Sequence, residues 1–195
     1  MAIVDAAATL MHQNGVAATS LDEVLAAAGC GKSQLYHYFD DKADLVGAVI
    51  DRQIELIMAA QPAIHQTGSW AGLRRWADEL VASHRVPDGP FACPLGSMAA
   101  ELKSDPVYLP RLDAAFRRWE EPLERGLEAM RERGQLTRQS DPGRLAQSII
   151  AAVQGGLLMA QIHNDGTVFE DAVENALSSL RRRATPKRSP VKAKS

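Results

Sequence analysis

Residues 19–50 constrain this chain more than any other stretch. Ser20 and Glu23 stand at capping-box spacing, where each side chain satisfies a free backbone N–H in the first turn of a helix. Val24, Leu25 and Ala28 follow at inward positions, and Gly29 ends that helix. A short helix is predicted over residues 32–38, anchored by Leu35 and Phe39. Asp41 is placed to cap a longer helix whose apolar stripe runs through Leu45, Val49, Ile50, Ile54 and Ile57. Helix, tight turn, short helix: the short one displays Lys32, Ser33, Gln34, Tyr36, His37 and Tyr38 around a small apolar anchor. A polar helix of that size, held from behind, suits the major groove of DNA.

Helical periodicity continues on both sides. Ile3, Ala6, Ala7, Leu10 and Met11 predict a helix over residues 2–14, stopped by Gly15 in a left-handed conformation. Pro62 and Gly68 bracket a loop. Further helices are expected over residues 70–85 and 95–103. Asp105-Pro106 reads as a cap and first-turn proline, opening a helix that carries Leu109, Leu112, Phe116, Trp119, Leu123, Leu127 and Met130 to Gly134. Pro122 lies inside it and predicts a kink or break. Asp141-Pro142 opens another helix to about His163, with two apolar faces. Leu145, Ile149, Ala152, Val153, Gly156, Leu157 and Ala160 make one; Ile150, Leu158, Met159 and Ile162 make the other. Two such faces call for two partners, the chain's own core and another subunit. Thr167 and Glu170 have the spacing of a second capping box, before a stripe of Phe169, Ala172, Val173, Ala176, Leu177 and Leu180. Neither a strand pattern nor an internal repeat is visible, so the fold class is all-α.

Composition sets limits on function. Apolar residues are 46% of the 195, but aromatics only 5%, so the core is built mainly from aliphatic side chains and Met. No apolar run is read as a membrane span, and no leader peptide is read at the N-terminus, so a cytoplasmic, membrane-free protein is expected. Cys30 and Cys93 have no metal spacing and suggest no disulfide framework. The five histidines (12, 37, 65, 84 and 163) do not pair at ligand spacing, and no triad or supported carboxylate pair appears. Neither metal, cofactor nor catalytic residue is therefore expected. Seven of the 22 bases lie after residue 180 with no acid among them, which leaves fifteen bases against all 24 acids, a balance of −9, in residues 1–180. Residues 1–50 hold only Lys32 and Lys42 as bases. Any DNA contact must then rest on geometry and helix ends rather than on a broad basic patch.

One rival pattern overlaps the turn. Ala26-Ala27-Ala28-Gly29-Cys30-Gly31-Lys32-Ser33 satisfies a relaxed phosphate loop, the mark of an NTPase. A true phosphate loop follows a buried strand, whereas this one follows a capped helix.

Residues 3–50 resemble the N-terminal domain of the TetR family of transcriptional repressors. The resemblance lies in Asp5-Ala6-Ala7, Gly15, Ala18-Thr19-Ser20, Ala27-Ala28-Gly29, Leu35-Tyr36-His37-Tyr38-Phe39, and Lys42 with Leu45. Farther on, Cys93-Pro94-Leu95-Gly96-Ser97 and Gln154-Gly155-Gly156-Leu157 look like segments of some ligand-binding domains of that family. Gly31 departs from the usual serine-like cap of the recognition helix, at a cost of about 0.5 kcal/mol at most.

The resemblance implies a homodimeric, ligand-responsive repressor on a palindromic operator of double-stranded DNA, with half-sites about 34 Å or a little more apart. Residues 1–45 would read DNA, 46–183 would bind effector and dimerise, and 184–195 would form a disordered basic tail. Gln34 could pair with adenine and Lys32 with guanine or phosphate. Ser33 and His37 lie beside them, and Tyr36 and Tyr38 offer hydroxyls to phosphate. Thr19 and Ser20 mark a helix N-terminus suited to phosphate, and Lys42 matches a phosphate-binding lysine of the family. Trp76, Phe91, Met98, Tyr108, Phe116, Trp119 and Gln154 are candidates to line a site for a small apolar or aromatic effector. Leu145, Ile149, Val153, Gly156, Leu157, Ala160, Phe169, Val173 and Leu177 are candidates for the dimer face, with Gly155 and Gly156 allowing close approach. The competing reading is a helical small-molecule-binding dimer without operator binding.

Overall fold

The longest apolar stripes decide the arrangement. The computed structural model describes residues 2–85 and 92–184. Among these are α1 (Ala2–Asn14), α2 (Leu21–Ala28), α3 (Lys32–Tyr38), α4 (Lys42–Ala60), α5 (Trp70–His84), α6 (Pro94–Leu102), α7 (Leu109–Glu132), α8 (Pro142–His163) and α9 (Thr167–Arg181). A 3₁₀ turn over Pro62–Gln66 joins α4 to α5. The described residues contain no strand; Leu136 and Ala184 form an isolated antiparallel bridge.

Helix α8 lies between α7 and α9, and α4 runs from the N-terminal helices onto α7. Ile149, Val153, Leu157 and Ala160 of α8 are buried on that inner side, facing a core that includes Leu123, Leu127, Phe169, Val173 and Leu177. By length and composition alone α8 could cross a bilayer, which corrects the expectation that no segment has that character. Trp76 and Trp119 are fully buried, and their indole N–H groups both donate to Oε1 of Gln61, at 3.1 and 3.4 Å. A buried indole needs an acceptor, and one glutamine at the end of α4 serves two.

Two expectations about α7 change. Asp105-Pro106 forms a turn before the helix, which starts at Leu109 with Pro110 in its first turn. Pro122 does not break it. Leu112, Ala115, Trp119, Leu123, Leu127 and Met130 are buried on both sides of the proline, and burial of that stripe outweighs a cost of about 3 kcal/mol. The second capping box is also absent. The N-cap of α9 is Gly166; Thr167 donates its N–H and hydroxyl to Asp165, at 2.9 and 2.8 Å, and Glu170 is drawn to Arg85 at 2.6 Å.

Candidate nucleic-acid interface and effector cleft

The N-terminal helices hold each other through short local devices. Ser20 caps α2: its Oγ accepts the Glu23 N–H at 3.2 Å, and Glu23 accepts the Ser20 N–H at 2.8 Å. The Ser20 N–H and then its hydroxyl, both donated to the Glu23 carboxylate, hold that carboxyl below its ordinary pKa. Gly29 ends α2 at φ 64°, with its own N–H on Ala26 and the Cys30 N–H on Leu25. Positive φ and that bond pair are the Schellman arrangement, so the rival phosphate-loop residues form a helix end and the start of α3. Neither a strand before them nor a phosphate cradle is present.

Helix α3 is seated by Leu35, fully buried, and by Phe39 just past its end. Lys32, Ser33, Gln34, Tyr36, His37 and Tyr38 are all exposed, with Tyr36 at 57% and Tyr38 at 51%. The arrangement leaves a one-sided polar surface. Lys32 pairs with Asp22 of α2 at 3.0 Å, which raises the lysine pKa. Gly31 stands at the N-cap without a side-chain bond.

Thr19 and Lys42 lie elsewhere. Thr19 is 1% exposed and gives its hydroxyl to the Gly15 carbonyl at 2.8 Å. It sets the α1–α2 turn and presents no hydroxyl to a phosphate, a correction forced by an acceptor left open at the end of α1. Lys42 is half-buried and donates from Nζ to the Val16 carbonyl at 2.7 Å. It clamps α4 to the same turn. Ser20 is exposed, its hydroxyl committed to Glu23.

The proposed dimer residues need a different face. Ile149, Val153, Gly156, Leu157, Ala160, Phe169, Val173 and Leu177 are buried inside this chain, and Leu145 packs against the same core. A Cβ on Gly156 would stand 2.8 Å from Ala172 Cβ and 3.1 Å from the Phe169 ring, so that glycine brings α8 and α9 of one chain together. The side left uncovered carries Leu158, Met159 and Ile162, at 55%, 40% and 64% exposure. Ile150, assigned to that second face, is itself buried.

A cleft of about 500 Å³ opens between α6, α7 and α8. Cys93, Gly96, Ser97 and Ala100 form one wall, Leu157 and Leu158 the other, with Phe116 and Gln154 between them and Lys103 at one end. Of the expected lining residues, Phe116 and Gln154 are here. Trp76, Met98 and Trp119 are packed in the core, and Tyr108 is the N-cap of α7, away from the cleft. Large side chains fill interiors before they line openings; Phe91 lies outside the described residues. Cys93, Gly96, Ser97, Gly155 and Leu157 of the lining belong to the two segments that resemble ligand-binding domains of the family, whereas Ala100 and Lys103 carry no such signal. Burial pushes the Cys93 thiol pKa up, partly opposed by hydrogen bonds that Gln154, Gly96 and Leu95 would give a thiolate.

Known proteins agree with this architecture. The profile of bacterial regulatory proteins of the tetR family matches residues 3–49, and that of the tetracyclin repressor-like C-terminal domain matches residues 70–176. The chain is 28% identical over 172 residues to an uncharacterized HTH-type transcriptional regulator in the lacX 3′ region of Lactococcus lactis subsp. lactis, covering 86% of each. It is 24% identical over 165 residues to the HTH-type transcriptional repressor DhaR of Mycobacterium sp. (strain GP1), covering 84% of this chain and 82% of the repressor. Its fold matches reduced NemR of E. coli with a TM-score of 0.79 at 22% identity, over 96% of this chain and 97% of that one. A TetR regulator from Chloroflexus aurantiacus superposes with a TM-score of 0.75 at 23% identity, over 93% of both chains. With both profiles matched in order and together spanning most of its length, the chain belongs to the TetR family of bacterial helix–turn–helix transcriptional regulators.

Proposed function

We propose that this protein is a homodimeric repressor, released from a palindromic operator by a small apolar or aromatic molecule. The observation that carries the DNA half is α3: its anchors are buried and six consecutive or near-consecutive polar and aromatic side chains face out. Residues 1–45 are the reading unit, with Lys32, Ser33, Gln34, Tyr36, His37 and Tyr38 as its contacts. Ser20 joins them through the α2 N-terminus, and Lys42 through the donors left after Val16. Residues 46–183 bind effector and partner. Leu158, Met159 and Ile162 of α8 form the seam between subunits, replacing the buried set, and the cleft beside Phe116 and Gln154 takes the effector. No metal or cofactor enters this reading, and it assigns no catalysis.

The deciding experiment is selection of bound fragments from a random DNA library. The expected product is a near-palindrome with half-sites about one helical turn apart, and Gln34→Ala relaxes one position in each half by about 1–3 kcal/mol. Two lysines per subunit offer about four phosphate contacts, so log affinity falls against log salt with a slope of about −4 at the steepest. Recovery of no fragment at low salt would leave the helical small-molecule-binding dimer without operator binding as the surviving alternative.

A further inference from the structure

Helix α6 touches two distant parts of the molecule. Cys93, Gly96, Ser97, Ala100 and Lys103 fall three or four residues apart and form one wall of the cleft. Glu101, on the adjoining side, reaches the turn between α1 and α2. Its Oε2 accepts the Val16 N–H at 2.8 Å and its Oε1 accepts the Ala17 N–H at 2.6 Å. Both N–H groups lie beyond the end of α1. Lys42 takes the Val16 carbonyl from the other side, at 2.7 Å. The turn that spaces α1 from α2 is thus gripped between α4 and α6. At the opposite end of α6, a Cβ on Gly96 would stand 2.2 Å from Oε1 of Gln154. That amide lies directly against the helix backbone. Its Nε2 is buried and makes no hydrogen bond of normal geometry, the Cys93 sulfur beside it being a weak acceptor, a costly state for a donor.

We propose that the cleft takes a small apolar molecule carrying a hydrogen-bond acceptor, and that its binding at Gln154 is conveyed to α2 and α3 by α6 through Glu101. The inference rests on the effector reading above. A carbonyl oxygen of the ligand satisfies Nε2, and the amide turns from its seat on Gly96. The apolar body presses on Ala100 and Phe116, and α6 shifts along its length. A displacement of about 1 Å carries both Glu101 contacts out of hydrogen-bonding range. The α1–α2 turn is then held from one side only, and the two recognition helices of a dimer lose their fixed separation. The ligand's leverage is its differential affinity for the gripped and released states.

Two measurements on the full chain test this. The first compares 2-acetylnaphthalene with 2-ethylnaphthalene, matched in shape apart from the carbonyl oxygen, by titration calorimetry. The ketone binds about tenfold tighter, and Gln154→Met abolishes that preference. Equal binding of the two, or binding of neither, overturns the ligand class. The second is a double-mutant cycle on operator affinity, with Ala100→Trp filling the cleft in place of ligand. Ala100→Trp and Glu101→Ala each weaken operator binding about tenfold, and the double variant is no weaker than Glu101→Ala alone. Additive losses, or a Glu101→Ala affinity equal to wild type, overturn the relay. Ser97→Phe and Glu101→Gln serve in place of any variant that circular dichroism shows to be unfolded. A wild type that binds no DNA sinks the repressor reading instead, and leaves the ketone comparison standing.

Discussion

Gly156 fixes how closely α8 and α9 approach, because any Cβ there meets Ala172 and Phe169 of the facing helix. Gly156→Val therefore loses about 1–3 kcal/mol in urea unfolding; an unchanged midpoint would mean that the helices part freely. Cys93 yields a second test at this scale. Burial raises its thiol pKa, so at neutral pH the neutral thiol dominates and the nucleophilic thiolate is scarce. Iodoacetamide should label Cys93 far more slowly than glutathione at pH 7, with the rate climbing only at alkaline pH; mass spectrometry of tryptic peptides reads the outcome. Single residues were legible where their partners are sequence neighbours. Ser20 with Glu23 and Asp41 with the α4 start both formed as read. Thr19 was misread because its acceptor, the Gly15 carbonyl, becomes available only once α1 has ended.

At the level of elements, two identical spacings had different fates. The Ser20–Glu23 box closed, whereas Thr167 and Glu170 were each drawn away, by Asp165 and by Arg85. Arg85 lies 85 residues from Glu170 in sequence, and no local pattern announces it. The α2 box is then the one on which the recognition unit depends. Ser20→Ala strands the Glu23 N–H and costs about 1 kcal/mol of stability; thermal unfolding measures it, and a loss below a few tenths would show the cap to be dispensable. Helix α7 teaches the same lesson in reverse. Pro122 predicts a kink or break from local rules, and the apolar stripe on both sides of it keeps the helix continuous, which removes the break. The aromatic candidates for the effector site failed for a related reason. Trp76, Trp119 and Met98 are what the core uses to fill volume, while the opening is left to alanines and glycines that carry little periodic signal.

For the whole molecule, the undecided question in the sequence was which side of α8 faces inward. Both faces are apolar, and only the placement of α7 and α9 assigns one to the core. Once assigned, the outer face makes a sharp test of assembly. Ile162→Glu puts a charge on a residue that is 64% exposed in the single chain, so the fold survives. Sedimentation equilibrium should show a monomer, with operator affinity falling at least tenfold because a half-site alone contributes half the contacts. A variant that stays dimeric moves the seam elsewhere. Charge adds a constraint at the same scale: the reading unit is acid-rich, with Lys32 tied to Asp22 and Lys42 to Val16. Recognition must lean on shape and hydrogen bonds more than on attraction.

The division of α8 into a committed side and a spare one has an evolutionary corollary. Folding constrains the first and ignores the second. If Leu158, Met159 and Ile162 are the seam, a duplicated gene can cease to mix with its parent by altering three outward side chains. Two regulators with the same scaffold can then answer separate stimuli in one cell without poisoning each other by cross-pairing.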